Sequence, residues 1–213
     1  MELTTIDTSS KNLYNVIDLA MLEKISYKTN LGKNLKNTLR KFDKEILLGE
    51  VSEVIIYLAS YAENIKLENR VKSFQSASLK YDRYFPTGQV EKVFNDLLGI
   101  RTEISSYEIL DEITLPKYFK MADMRNGKAK DDGYRGVPLY YQKDHYHYPI
   151  EIQLVTPKDK QFNEWLHLYV YKYVTDCSIG IELRNLYDNG VIVSKDDFLK
   201  EVNKNELLSS KEI

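Results

Sequence analysis

Cysteine occurs once in 213 residues, at Cys177. An internal disulfide and a four-cysteine zinc site are thereby excluded, and a reducing compartment, the cytoplasm, is the expected location. Histidine is almost as scarce, present only as His145, His147 and His167, so any metal would be a hard cation held by oxygen. The longest apolar run is Val54 to Ala59, far short of the roughly 20 residues of a membrane-spanning helix. Met1 to Ser10 shows no basic cluster followed by an apolar block, so no export signal or membrane span is expected. Charge of one sign is also lacking. The net charge is -2, and nucleic-acid binding would need a local patch rather than the whole surface.

What is present suffices for a folded protein. Hydrophobic residues make up 43% and charged residues 29%, with both signs mixed, a balance that builds a core under a solvated surface. The length fits one compact domain. No proline precedes Pro86, and the apolar spacing of the first part predicts helices near 12–25, 33–46 and 50–65. Short β-prone runs follow at Leu97 to Ile104, Tyr118 to Met124, Tyr134 to Gln142 and Tyr148 to Val155, separated by turn residues. Helical spacing returns after Pro157, at Phe162, Trp165, Leu166, Tyr169 and Tyr173, with further helices over 176–189 and 195–208. The expected fold is α+β, a sheet of four or five strands between N- and C-terminal helices. It divides into a helical segment 1–66, a core 67–175 and a helical tail 176–213. Seven basic residues between Lys24 and Lys44 face a single acid, Asp43, after Glu23. A solvated helix face accounts for such a stripe, and a surface for a polyanion is the alternative.

Four blocks carry chemistry. Arg70, Lys72, Ser76 and Lys80 come first; the spacing of the last three puts them on one face of a helix starting near Ser73, where a helix N-terminus could hold a polyphosphate. Asp96 opens a buried apolar strand that continues through Gly99 to Arg101, and an acid in that setting needs a cation or a partner. Gly99 is a candidate bulge. Tyr134 and Arg135 stand between Gly133 and Gly136, a platform on which a base could stack. In Ile150 to Val155 the period of two sets Ile150, Ile152 and Leu154 toward the core and Glu151, Gln153 and Val155 on the other side. Asp96 and Glu151 on neighbouring strands could share Mg2+ and activate a hydroxyl nucleophile.

These blocks, in this order, resemble the synthetase domain of the RelA/SpoT family, the enzymes that make (p)ppGpp. The resemblance is carried by Arg70, Lys72, Ser76 and Lys80, by Asp96, Gly99 and Arg101, by Gly133 to Arg135, by Glu151 to Gln153, and by His167, Tyr171 and Lys172. It spans about half the chain, and the compact form is similar to that of the small single-domain alarmone synthetases. The resemblance implies a nucleotidyltransferase-like mixed sheet and transfer of the β,γ-pyrophosphate of ATP to the 3'-hydroxyl of GDP or GTP. It implies that Asp96 and Glu151 are catalytic and bind Mg2+, Glu151 also drawing the proton from the hydroxyl. Arg70 and Arg101 would sandwich adenine, and Lys72, Ser76 and Lys80 would hold the triphosphate. Tyr134, Arg135, Gln153, His167 and Lys172 would serve the acceptor. No histidine precedes His145, so the His-Asp hydrolase half of larger members is not expected.

Two stretches depart from the family pattern. Pro138 stands where a histidine is usual, and Leu154-Val155 where Ile-Arg is usual. By strand parity Pro138 matches Tyr134 and Val155 matches Glu151, so both losses are expected on the functional face, where they would weaken the grip on a 5'-phosphate. Toxic members of the family, resembled by the run Asp131 to Gly136, modify the 3'-terminal adenosine of tRNA, and an antitoxin protein would then be a partner. tRNA is therefore the alternative acceptor, with the Lys24 to Lys44 stripe as its docking surface. A nucleotide-binding regulator without chemistry is a third reading.

Overall fold

The structure, a computed structural model, describes residues 18–171 and 178–209. Tyr173 and the 12–17 stretch of the first expected helix lie outside them. Helix α1 (Leu19–Ile25) starts where the Asp18 carboxylate accepts the Met21 N–H at 3.0 Å. The helix expected over 33–46 does not form. Asn34 captures local donors instead, its Oδ1 accepting the Lys36 N–H at 2.8 Å and its carbonyl the Asn37 N–H at 3.0 Å. Only a 3-10 turn, Leu39–Lys41, follows. Such side-chain competition favours a turn over a helix. Leu35, Leu39 and Phe42 are buried all the same, so the spacing marks core contacts and not helical backbone. The basic cluster therefore lies mostly on this irregular segment and forms no helix face. Helix α2 (Lys44–Ala62) begins at Asp43, whose carboxylate accepts the N–H groups of Glu45 and Ile46.

Five strands form one sheet: β1 (Glu68–Val71), β2 (Leu98–Glu103), β3 (Phe119–Met121), β4 (Val137–Tyr141) and β5 (Ile150–Val155), in the order β1-β2-β5-β4-β3. The fold is the α+β class expected. β1 and β2 are antiparallel, as are β3 and β4. Along β2 and β5, Gly99 meets Glu151 and Arg101 meets Gln153, contacts that advance in step as in parallel neighbours, so the sheet is mixed. β1 is the strand that sequence patterning did not predict. Its register with β2 runs without interruption through Gly99, so Gly99 is not a bulge.

Between β1 and β2 lie α3 (Phe74–Tyr84) and the one-turn α4 (Val90–Val93); after β5 come α5 (Pro157–Tyr169), α6 (Ser178–Asp188) and α7 (Lys195–Ser209). None of the helices among the described residues is long and apolar enough to cross a membrane. The chain packs as two compact units. The first draws on Met1–Thr102, Glu108–Ala122 and Pro138–Leu154, the second on Glu103–Tyr107, Asp123–Val137 and Val155–Ile213. The first contains most of the sheet, with Leu98, Ile100, Ile150, Ile152 and Leu154 buried. The second is built on Phe162, Trp165, Leu166, Leu183, Tyr187 and Phe198. Within it a buried ion pair joins Arg184 to Asp159 at 2.6 Å. Asp159 also accepts from the Tyr107 and Thr156 hydroxyls, and Arg184 Nε meets Asp188 at 2.7 Å.

Candidate functional site

In the first unit two of the expected nucleotide-binding residues, Lys72 and Lys80, converge on one carboxylate. β1 ends at Val71, and the Lys72 N–H donates to the Leu97 carbonyl at 2.9 Å, which brings Lys72 beside the turn holding Asp96. Lys72 Nζ lies 2.8 Å from Asp96 Oδ2. From α3, Lys80 Nζ lies 3.1 Å from Asp96 Oδ1 and 3.2 Å from Asn95 Oδ1. Lys72 is thus not on the helix, as the spacing of 72, 76 and 80 suggested. Ser73 caps α3 by accepting the Ser76 N–H at 3.3 Å, so Lys72 lies ahead of the helix cap. Asp96 belongs to the turn ahead of β2 and does not open the strand. Burial raises its pKa, but Lys80 and Lys72 outweigh that and hold the carboxyl below its ordinary range.

The polar face of the sheet continues from Asp96. Glu68 and Arg70 project on one side of β1, opposite Arg101 and Gly99 of β2, so the two arginines are diagonal neighbours. Arg101 Nη1 pairs with Glu68 Oε1 at 2.7 Å. Gln153 Oε1 accepts from Arg101 Nε at 3.3 Å, and Gln153 Nε2 donates to Glu151 Oε2 at 3.0 Å. The Tyr140 hydroxyl reaches Glu151 Oε1 at 3.4 Å. Burial, and next the negative charge of Asp96, push the Glu151 pKa up against the lowering effect of Gln153, Lys80 and Tyr140. A Cβ at position 99 would stand 3.3 Å from Glu151 Oε2, which explains a glycine there: it leaves the carboxylate room.

Among the described residues no group of three or more His, Cys, Asp and Glu side chains is arranged to hold a metal. Asp96 and Glu151 nevertheless fit a hard cation. After burial, the charge of Asp96 is what raises the Glu151 pKa; a divalent charge relieves such repulsion, and Mg2+ is commonly bound by one or two carboxylates plus substrate phosphates and water.

The second unit holds the other expected acceptor residues except Lys172, which lies outside the described residues. Gly133, at φ +86, approaches Gly180 so closely that a Cβ would fall 2.2 Å from the Gly180 carbonyl oxygen. The Asp131 and Asp132 carboxylates accept the N–H groups of Gly133 and Tyr134. Arg135 is engaged by structure: Nη1 and Nη2 grip the two oxygens of Asp131 at 2.8 and 2.9 Å, and Asn163 brackets its backbone. Lys128 Nζ stands 4.8 Å from the centre of the Tyr134 ring and 2.7 Å from Asp132. His167 is exposed in the last turn of α5.

The two departures are not on a polar face. Pro138 is buried, and because β4 begins only at Val137 strand parity does not reach Tyr134. Val155 is 1% exposed at the end of β5. Sequence reasoning overlooked Glu68, Asn95 and Tyr140 in the first unit and Lys128, Asp131 and Asn163 in the second. Strand alternation could have found Tyr140, which lies between the buried Leu139 and Tyr141. The others depend on pairings distant in sequence or on loop geometry.

No family model and no curated protein matches this sequence. Among solved structures, the chain is similar to small alarmone synthetase 1 from Bacillus subtilis bound to its product pppGpp, at 18% identity over 79% of this chain and 98% of that one, with a TM-score of 0.43. It is similar to small alarmone synthetase 2 from the same organism at 16% identity, covering 81% of this chain and 100% of that one, also at 0.43. A GTP pyrophosphokinase family protein from Streptococcus pneumoniae aligns at 20% identity over 75% of this chain and 96% of that one, with a TM-score of 0.41.

Proposed function

We propose that the protein is an ATP-dependent pyrophosphokinase of the RelA/SpoT type, acting on the 3'-hydroxyl of GDP or GTP. The observation that carries this reading is Asp96 shared between Lys72 and Lys80, with Glu151 close enough for Asp96 to raise its pKa. In the reaction the acceptor oxygen bonds to the β-phosphorus of ATP, the bond from that phosphorus to the α-bridging oxygen breaks, AMP leaves, and the hydroxyl proton passes to Glu151. A carboxylate with a raised pKa is the better proton acceptor. Lys72 and Lys80 hold the transferred phosphates, with Ser76 at the N-terminus of α3. Arg70 and Arg101 flank adenine from the face of β1 and β2. Mg2+ bound by Asp96 and Glu151 would supply charge to the phosphate oxygens in flight.

The tRNA acceptor is the second reading. All seven basic residues from Lys24 to Lys44 are exposed, a surface open to a polyanion. ATP labelled at its γ-phosphate, supplied with GDP, GTP or deacylated tRNA, decides between them: label in the guanine nucleotide supports the first, label in tRNA the second. Label in neither, from folded protein with Mg2+ present, leaves the regulator without chemistry.

A further inference from the structure

Across the sheet face runs one hydrogen-bonded chain, Glu68–Arg101–Gln153–Glu151–Tyr140, with steps of 2.7, 3.3, 3.0 and 3.4 Å. It crosses β1, β2, β5 and β4 in spatial order. We propose that Gln153, instead of touching the acceptor, is a positioning residue that ties the base-holding arginine Arg101 to the reacting carboxylate Glu151. The proposal rests on the pyrophosphokinase reading for the roles of those two neighbours. Its physical ground is the chemistry of the three groups. A guanidinium only donates and an ionised carboxylate only accepts, so an amide between them is satisfied in one orientation alone, with Oε1 toward Arg101 and Nε2 toward Glu151. Rotating the amide breaks both bonds at once. Gln153 therefore links the cation to the anion without adding charge, which neither Glu nor Lys could do at this position. Arg101 is gripped at Nη1 by Glu68 and at Nε by Gln153, so the plane of its guanidinium is fixed before a base arrives, and a fixed plane lowers the ordering cost of stacking. The same amide fixes the carboxylate that must meet the acceptor hydroxyl.

The test uses the full chain, Gln153→Met and Gln153→Glu, and two readouts. The first is the Kd of α,β-methylene ATP, which cannot transfer because the scissile oxygen is a carbon. The second is kcat for transfer from ATP. Met keeps the length and loses both bonds, so the analogue Kd should rise and kcat should fall, each by about three- to tenfold. Glu still accepts from Arg101 but sets a carboxylate against Glu151, so the Kd should stay within about twofold while kcat falls at least as far as in the Met variant. That split is one a merely structural residue does not produce. Equal losses in both readouts for both variants, together with a lowered melting temperature, would overturn the proposal, as would effects confined to the acceptor KM. A wild-type chain that binds and transfers, with variants indistinguishable from it, overturns this inference alone. A wild-type chain that does not bind the analogue overturns the pyrophosphokinase reading with it.

Discussion

The two units treat charge differently. In the first, two ammonium groups share one carboxylate, Asp96, which is about a quarter exposed. In the second, two arginines are gripped by carboxylate: Arg135 by both oxygens of Asp131, and Arg184 by Asp159 and Asp188 through Nη2 and Nε. Either cation can turn to a phosphate without stranding a buried charge, because the second cation keeps the carboxylate company. A matched, buried pair has no such freedom, since removing either partner leaves the other desolvated. The motif residues Lys72 and Lys80 are therefore disposed to bind, whereas Arg135, though part of an equally conspicuous motif, is disposed to hold its loop.

The sharpest way to break this contrast lies in the second unit. Arg184 is 6% exposed and its loss strands Asp159, so Arg184→Ala should cost about 3–5 kcal/mol of stability in urea denaturation. A loss under about 1 kcal/mol would mean that the pair is hydrated and that the second unit is not organised around matched charge.

Next in size are the acids of the first unit. Asp96→Asn and Glu151→Gln keep volume and remove charge, and each should lower transfer by at least about 10²-fold with the fold retained by circular dichroism. Near-normal turnover in either folded variant would remove the catalytic assignment. Lys72→Ala and Lys80→Ala come third. Each leaves Asp96 one cation, so stability should barely change while the KM for ATP rises roughly tenfold. A large stability loss with unchanged KM would show these lysines to be as structural as Arg184.

How far the sequence discloses this arrangement depends on range. Asp96 and Glu151 could be picked out locally, because an acid beside buried apolar residues is costly without a task, and Ser73 marked the start of α3 by capping chemistry. The alternation of Ile150, Ile152 and Leu154 with Glu151 and Gln153 also predicted which faces of β5 are buried and polar. Glu68 was not legible, since β1 is a polar stretch that becomes a strand only by pairing with β2, about thirty residues on. The 33–46 segment misled in the opposite direction, its helical spacing arising from core contacts made by an irregular loop. Arg135 looked like a binding residue because nothing in its motif shows that the carboxylate four residues earlier folds back onto it.

The smallest effect separates charge from packing at Arg135. The Arg135 guanidinium, more than any other cause, holds the Asp131 carboxyl below its ordinary range, and the Gly133 N–H helps. A depressed folded pKa means that the unfolded chain binds more protons as pH falls, so the pair's contribution is complete above the ordinary carboxyl value and disappears as pH drops through the folded value. Arg135→Met keeps an apolar stem, and the Asn163 contacts survive because they are made to the backbone of residue 135. Both groups remain partly exposed, so wild type and variant should differ by roughly 1 kcal/mol or less near neutral pH. The gap between their urea midpoints should close as pH falls below the ordinary carboxyl range and through the depressed folded value, where protonated Asp131 no longer rewards the arginine. A gap that persists unchanged through that range would assign the role of Arg135 to packing of its stem, and the matched-charge description of the second unit would then rest on Arg184 alone.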